Sequence, residues 1–595
     1  MKDKIINFLK SNLFLKDLDL EKLLEVPKKS NNGDYSLPLF ILANKLNSNL
    51  NPVELAKEIE KSLSENLPIF IDKVLAIGPF LNFYINKKFQ VGEVFNLILS
   101  GNIFDINKSL KKEKILLEYP SPNSNKSLHL GHVRNILIGN SLFKVLSKVG
   151  NKVIRVSINN DRGIAICKSM LGYKLFYSGD SPESLKLKSD QFISNCYVKF
   201  EAESKLDPSL DKLAQELLVK WEEGDLETIK LWKKVMGFVF NGYDETYKKF
   251  KLLKFDKVYF ESQIYKKGKD IVLNALKKNI DGFEKEKDGA IFCDLTKEGF
   301  DKKYLLRGDG TSLYMTQDLY LAKLKDKDFK ADKYIFIVGR DQEYHFKVLF
   351  EILDRLGFGG VTKNYHFSYG YVYNESGKKF SSRKGEVIGA DWLYDEVVSK
   401  AKKNLLEKEI SKNLNEVELN RRAKIIGYSG IAFSFLKINP LDDIKFDVSA
   451  SLSFQGETGP YVQYTFARIV SLLKKGNFDF NFGDIDLVNV SSIKKNIKKI
   501  SKLNFNSFGD KEFLISKTLA EFPDYFFEAV SKYKLSSIAN FLIKLSQNFN
   551  DFYQNSNILK SSKDDREAKL FLSYLTAIII KEGLNLLDIE VLDEM

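Results

Sequence analysis

Three observations predict an α/β chain. Apolar strands alternate with long helices, one strand runs into a turn rich in Gly and His, and the final stretch is wholly helical. The expected architecture is a parallel sheet of Rossmann type carrying a helical insertion. A small N-terminal α/β domain precedes it and an all-helical C-terminal domain follows. At 595 residues the chain has room for several domains, each with a core. With 44% hydrophobic, 13% aromatic and 29% charged residues, it has ordinary globular composition.

The elements follow in order. MKDKIINFLKSNLFLKDLDLEK carries a charge every few residues and no small-residue cleavage site. It reads as an amphipathic helix and not as a signal peptide. Residues 1–110 form the first domain, with helical segments on each side of the Asn51-Pro52 break and a strand-like Asn82–Ile85. A lysine-rich link, Asn107–Lys114, leads into a second domain over 111–395. Its expected strands are Ile115–Tyr119, Lys152–Ile158, Tyr334–Gly339 and His366–Val372. Residues 165–300, rich in Lys and Glu, read as a helical insertion between the halves of the sheet. Past Ala390 the pattern turns helical throughout. A connecting region covers 396–454 and a helical domain 455–595, with apolar stripes such as Lys569–Leu587.

Composition narrows the function classes. No apolar run approaches the roughly 20 residues that span a bilayer, so no membrane segment is expected. Cys167, Cys196 and Cys293 lie far apart without a CxxC pair. That argues against a cysteine-rich zinc module and for a reducing cytoplasm. The net charge of +13 and pI of about 9.0 suit a polyanion partner such as RNA. Low-GC coding, which favours Lys, Asn and Ile, would raise the charge as well.

Two segments carry chemistry. Asn123–Asn135, NSNKSLHLGHVRN, holds two of the four histidines, His129 and His132, around Gly131. It follows the strand Lys114–Pro120 and opens an amphipathic helix. Free N–H groups and the positive dipole end at such a helix start favour phosphate. Gly131 would let a flat base approach the backbone, and the imidazoles can donate to phosphate oxygens. A His-x-x-His pair can also hold a metal or simply lie on a surface. Here Glu118, Asn123, Lys126 and Arg134 crowd the same turn. The second segment, Gly377–Gly385 (GKKFSSRKG), follows the strand His366–Tyr373 and an Asn-Glu-Ser-Gly turn. Lys379, Arg383 and Lys384, with Ser381 and Ser382 between them, could neutralise a triphosphate. Alone it also fits a solvated turn.

HLGH followed far downstream by KFSSR resembles the HIGH and KMSKS signatures of class I aminoacyl-tRNA synthetases. EYPSPNSNKSLHLGHVRN resembles the arginyl-tRNA synthetase form of the first. Leu305–Asp318, Phe454–Arg468, Gly33–Phe40 and Gly78–Ile85 resemble that family's arginine pocket, the start of its anticodon-binding domain and its extra N-terminal domain. The resemblance runs from about residue 30 to Met595. It implies ATP-dependent ligation of L-arginine to tRNA(Arg) through arginyl-adenylate, with release of AMP and pyrophosphate. Mg²⁺ would accompany ATP, no protein-bound zinc or other metal is expected, and a cytoplasmic monomer is the default.

The resemblance also distributes roles. His129, His132, Lys126, Lys379, Arg383 and Lys384 would be catalytic. Gly131, Ser381, Ser382, Gly339 and Asp341 would bind ATP, the last two in a turn followed by His345. Ser382 stands where KMSKS has its second lysine, and Lys126 or Lys384 could supply the missing charge. Arginine would be held by Glu118, Asn123, Tyr314, Asp318 and Gln342. A guanidinium is a planar fork best met by carboxylates, and Asp318 follows Tyr314 by four residues, on one helical face. The turn Asn159–Gly163 would lie near the substrate. Tyr461, Gln463, Tyr464 and Arg468 combine rings with polar edges, suited to unstacked anticodon bases. Rivals are another class I synthetase, such as one for cysteine or glutamine, a small-substrate nucleotidyltransferase, and a synthetase-like binding protein without activity, which the intact HLGH and basic loop argue against. The first would show a zinc-type set or another pocket; the second is much shorter.

Overall fold

The computed structural model describes residues 2–13, 19–27, 32–45, 50–105, 111–252, 254–374, 389–408, 414–479, 503, 505 and 508–595. The chain forms two compact units. One comprises Met1–Asp105, Ile469–Pro523 and Lys544–Ile579; the other comprises Ile106–Arg468, Asp524–Ile543 and Ile580–Met595.

In the first unit, β1 (Tyr35–Pro38), β2 (Ile71–Ile77) and β3 (Phe80–Ile85) form an antiparallel sheet in the order β1-β3-β2. The Asn51-Pro52 break is a helix start. Asn51 accepts from the Val53 and Glu54 amides, and the Glu54 carboxylate takes the Asn51 amide. This capping box, with proline at the first helical position, fixes helix Pro52–Ser64. Leu55, Ala56, Ile59 and Leu63 recur at helical spacing and are buried with Leu37, Leu81 and Phe83.

The second unit holds a five-stranded sheet. Its strands are β4 (Lys114–Glu118), β5 (Lys152–Asn159) and β6 (Lys257–Phe260). After a small antiparallel sheet of β7 (Phe283–Lys285), β8 (Ile291–Cys293) and β9 (Lys303–Leu306), it is completed by β10 (Lys333–Gly339) and β11 (Asn364–Tyr369). The order is β11-β10-β4-β5-β6 and every pairing is parallel. The chain leaves β4 toward β5 and β6, then returns to build β10 and β11 on the other side. The strand order therefore reverses between β4 and β10, which opens a crevice beyond their carboxyl ends. Leu116, Ile154, Val156, Phe336 and Leu349 belong to the core against the sheet.

Three expectations change. The stretch 165–300, expected as a mostly helical insertion, also builds the main sheet: β6 inside it forms the sheet edge beside β5. The strand expected to run through His366–Val372 breaks at Gly370. There Tyr371 turns its amide to Asp443, and β12 (Val372–Asn374) pairs with β13 (Ile444–Phe446) in a separate two-stranded sheet. A Cβ at Gly370 would lie 2.6 Å from the Asp442 carbonyl, so the crossing requires glycine. Strand β13 also interrupts the stretch expected to be wholly helical. Among the described residues no helix is long and apolar enough to cross a membrane, and Cys167, Cys196 and Cys293 are buried and free.

Candidate active site

The site starts from the helix Leu130–Lys148, which leaves the crevice side of β4 with His129 as its N-cap. The His129 ring accepts the Gly131 amide at 3.1 Å, and the His132 ring accepts the His129 amide at 3.1 Å, in both cases through Nδ1. Two imidazoles thus do the work that serine and glutamate do in a common capping box. Their centroids lie 4.1 Å apart. Because both Nδ1 atoms accept, a neutral ring carries its proton on Nε2, a donor left for a ligand. Burial, then the Lys126 charge, hold His129 below the ordinary histidine range. Burial, then His129, push His132 well below it. Protonating either ring would put a proton on Nδ1 and break its cap. Lys126 is exposed, with its ammonium 5.3 Å from the Tyr197 ring. A Cβ on Gly131 would sit 2.9 Å from His129 Cε1. The close approach at this glycine is therefore to the histidine ring itself.

Arg134 does not belong to the ligand side. It is buried, and its guanidinium donates to the carbonyls of Gly370, Asp442, Pro440 and Asn439 at 2.7–3.3 Å. It clamps the β11–β12 crossing. Asn135 assists by donating to the Ile337 carbonyl at 2.6 Å.

Lys379, Ser381, Ser382, Arg383 and Lys384 lie outside the described residues. The chain beyond them is fixed to the histidine turn: Gly389 bridges to His129, and the Ala390 amide donates to the Leu128 carbonyl at 2.8 Å.

On the other side of the crevice stand carboxylates. Asp318 lies on helix Tyr314–Phe329 and binds His345 Nε2 at 2.9 Å. Tyr314, one turn earlier, is 79% exposed and free to face a ligand. Glu261 directly follows β6 and Asp161 follows β5, and both Asp161 and Asp318 lie close enough to act on Glu261. The short helix Glu261–Ile264 packs on the Asp318 helix. Burial raises Glu261 to about 7, with Asp161 and Asp318 adding to the rise and Arg162 opposing it. Asp161 is buried and accepts from the Ser262 amide and hydroxyl at 2.8 and 2.7 Å. Arg162 stacks 3.8 Å over the Tyr265 ring and pairs with Glu222. The sequence reading missed Glu261. Its signal was a Glu-Ser pair after a β-branched and aromatic run, masked by treating that stretch as insertion.

Glu118 departs from expectation: it is buried and ion-paired with Lys325, itself buried, so its carboxylate is already engaged. Asn123 is exposed and accepts from the Asn160 amide group at 2.8 Å, joining the ends of β4 and β5. Gly339 ends β10, and the exposed Asp341 and Gln342 follow in a 3₁₀ turn, bonded to each other at 2.8 Å.

On helix Gly459–Lys475, Tyr461, Tyr464 and Arg468 are half-buried on one face, with Arg468 4.8 Å from the Tyr464 ring. Gln463 points the other way. It is 0% exposed and donates to the Glu590 carbonyl at 2.6 Å, so it holds the fold and meets no base.

Three family models match the chain. They are described as tRNA synthetases class I (R), catalytic domain, over residues 93–448; DALR anticodon binding domain, over 462–595; and Arginyl tRNA synthetase N terminal domain, over 1–85. The arginine–tRNA ligase of Bacteroides thetaiotaomicron is 37% identical, across 97% of this chain and 96% of its own length. That of Treponema denticola is also 37% identical, across 96% and 94%. The solved arginyl-tRNA synthetase of Thermus thermophilus superposes with a TM-score of 0.76 at 22% identity, covering all of both chains. That likeness shows a shared fold. The family models and the two relatives together establish that this chain belongs to the arginyl-tRNA synthetase family of class I synthetases.

Proposed function

We propose that the chain joins L-arginine to tRNA(Arg) using ATP. The observation that carries this reading is that two imidazole donors follow β4 while Glu261, with Asp318 beside it, follows β6 at the carboxyl end of the same parallel sheet. One side suits phosphate oxygens, the other a guanidinium. In the first step the arginine carboxylate attacks the α-phosphate in line, and the bond to pyrophosphate breaks. The nucleophile is already an anion, so no strong base is required. What remains is positioning and charge stabilisation, supplied by the Nε2–H groups of His129 and His132, by Lys126, and by Lys379, Arg383 and Lys384. In the second step a ribose hydroxyl at the tRNA end takes the acyl group, and AMP leaves. Mg²⁺ would enter with the triphosphate. The groups around His129 are donors, so they suit phosphate oxygens and not the metal.

Asp318 and Glu261 would hold the guanidinium against Tyr314, with Asn123 and Gln342 at the α-amino and carboxylate end. Glu118 would act through its pair with Lys325. Gly131, Ser381, Ser382, Gly339 and Asp341 would border ATP. Residues 1–110 and 455–595 would contact tRNA, the latter through Tyr461, Tyr464 and Arg468. The reading places the protein in the cytoplasm as a monomer.

The test is charging of total tRNA by the purified protein with ATP, Mg²⁺ and each of the twenty amino acids in turn. Arginine alone should be esterified. Charging with a different amino acid, or none, would overturn the reading.

A further inference from the structure

The helix that opens at His129 carries a second polar face farther along. Asn140, Lys144 and Lys148 recur every fourth residue and so share a side. Facing them, at the chain's end, are Glu582, Asn585 and Asp588. Lys148 Nζ meets Glu582 at 3.1 Å, and Lys144 Nζ meets Asn585 at 3.0 Å and Asp588 at 2.7 Å. The Asn140 amide group donates to Asp588 at 3.1 Å. The two rows run in opposite directions, so a small axial slip would strain every pair together.

Asp588 is the pivot. Its side chain is 8% exposed, and it also accepts the hydroxyl of the buried Tyr428 at 3.0 Å. Its backbone is left-handed, with φ of 61°. A non-glycine residue is held there only when its surroundings fix it. Asn140 passes the contact on, accepting the Tyr119 hydroxyl at 3.1 Å, and Tyr119 follows Glu118 directly.

We propose that Asp588 and Lys144, supported by the Lys148–Glu582 pair, are positioning residues: they set where the helix sits along its axis and thereby where the His129 and His132 rings meet ATP. The proposal rests on His129 belonging to the ATP site. The helix is a stiff rod. Asn140 lies eleven residues beyond His129, about 16 Å at the α-helical rise, so an axial shift at the clamp reaches the rings undiminished. Misplacement by about 1 Å can cost ~10²-fold in rate. Exposed ion pairs stabilise little, whereas a half-buried, register-matched set centred on the buried Asp588 can select one position. Glu582, Asn585 and Asp588 lie within the part of the chain matched by the anticodon-binding family model. That segment would thus help to set the geometry of the chemical step.

The test uses the full chain, with kinetics normalised to titrated active sites. Asp588→Asn and Lys144→Met should each lower kcat for arginylation about tenfold, part of the ~10²-fold that a full misplacement costs. ATP and arginine KM should stay within about twofold, and Lys144→Arg should recover most of the rate. In a His129→Ala background the further loss from Asp588→Asn should shrink well below tenfold, since one of the two rings the clamp positions is gone. Should Asp588→Asn fail to fold, Glu582→Gln gives the same comparison at a milder site. A lowered melting temperature with unchanged kcat per site would overturn the proposal. So would a loss that multiplies in full onto His129→Ala. If His129→Ala itself keeps full kcat, the ATP-site reading fails first and the proposal with it.

Discussion

The two sides of the crevice are built on opposite principles. The phosphate side is finished before any ligand arrives: the His132 and His129 rings cap the His129 and Gly131 amides through Nδ1 and keep Nε2–H as donors for a ligand. The guanidinium side is left under tension. Burial, with Asp161 and Asp318 nearby, raises the cost of ionising Glu261, and Arg162, a cation beside it, is already paired with Glu222. A preorganised donor pair favours the transition state over the ground state. A carboxylate cluster short of positive charge favours a cationic substrate over a neutral one. One side should therefore govern rate, and the other affinity and choice.

Removing either ring should give the largest effect. His129→Ala or His132→Ala should lower kcat about 10²–10³-fold, the usual cost of one preorganised donor, with arginine KM little changed in charging assays. Near-normal turnover in a folded variant would break the comparison on the phosphate side. Asp318→Asn should raise the arginine KM about 5- to 150-fold, the range for a lost charged hydrogen-bond partner of roughly 1–3 kcal/mol. It should also erode discrimination against citrulline, measured by parallel charging kinetics. Unchanged arginine kinetics would leave Asp318 a surface acid.

A pH series sharpens the same contrast. Guanidinium binding needs Glu261 ionised, and its folded value lies near 7. Arginine binding should release that proton, so arginine KM should fall as pH rises through 7, by at most about tenfold per unit. Glu261→Gln should flatten the profile. His129 and His132, held below the ordinary histidine range, should add no step of their own near neutrality. The smallest effect separates the helix faces near the C-terminus. Arg468→Ala should weaken tRNA binding by about 1–3 kcal/mol if it supports a stacked base. Gln463→Ala should lower the melting temperature and leave the affinity of the folded protein unchanged.

What could be read in the sequence was whatever depends on local pattern. Strands β4, β5 and β10 stood out as apolar runs, and the histidine turn as a helix start after one of them. Asn51-Pro52 stood out as a break between helical segments, and the structure makes it a capped helix start. What could not be read depends on which distant groups meet. Arg134 was read with the polar residues that crowd the histidine turn, yet its partners are carbonyls 236 to 308 positions away. Gln463 has the chemistry of a base reader, but it faces inward to Glu590. Glu118 has a buried lysine on another element as its partner. Strand β6 is four residues long at a sheet edge, too short to stand out among helices, and Glu261 was lost with it.

The most direct test measures kcat, ATP KM and arginine KM for His129→Ala and Asp318→Asn side by side, on folded protein with saturating tRNA. The two-sided account predicts a crossed pattern: His129→Ala loses kcat and keeps its arginine KM, while Asp318→Asn loses arginine KM and keeps its ATP KM. If both variants move the same constants in the same proportion, the two sides are not separate and the account is wrong.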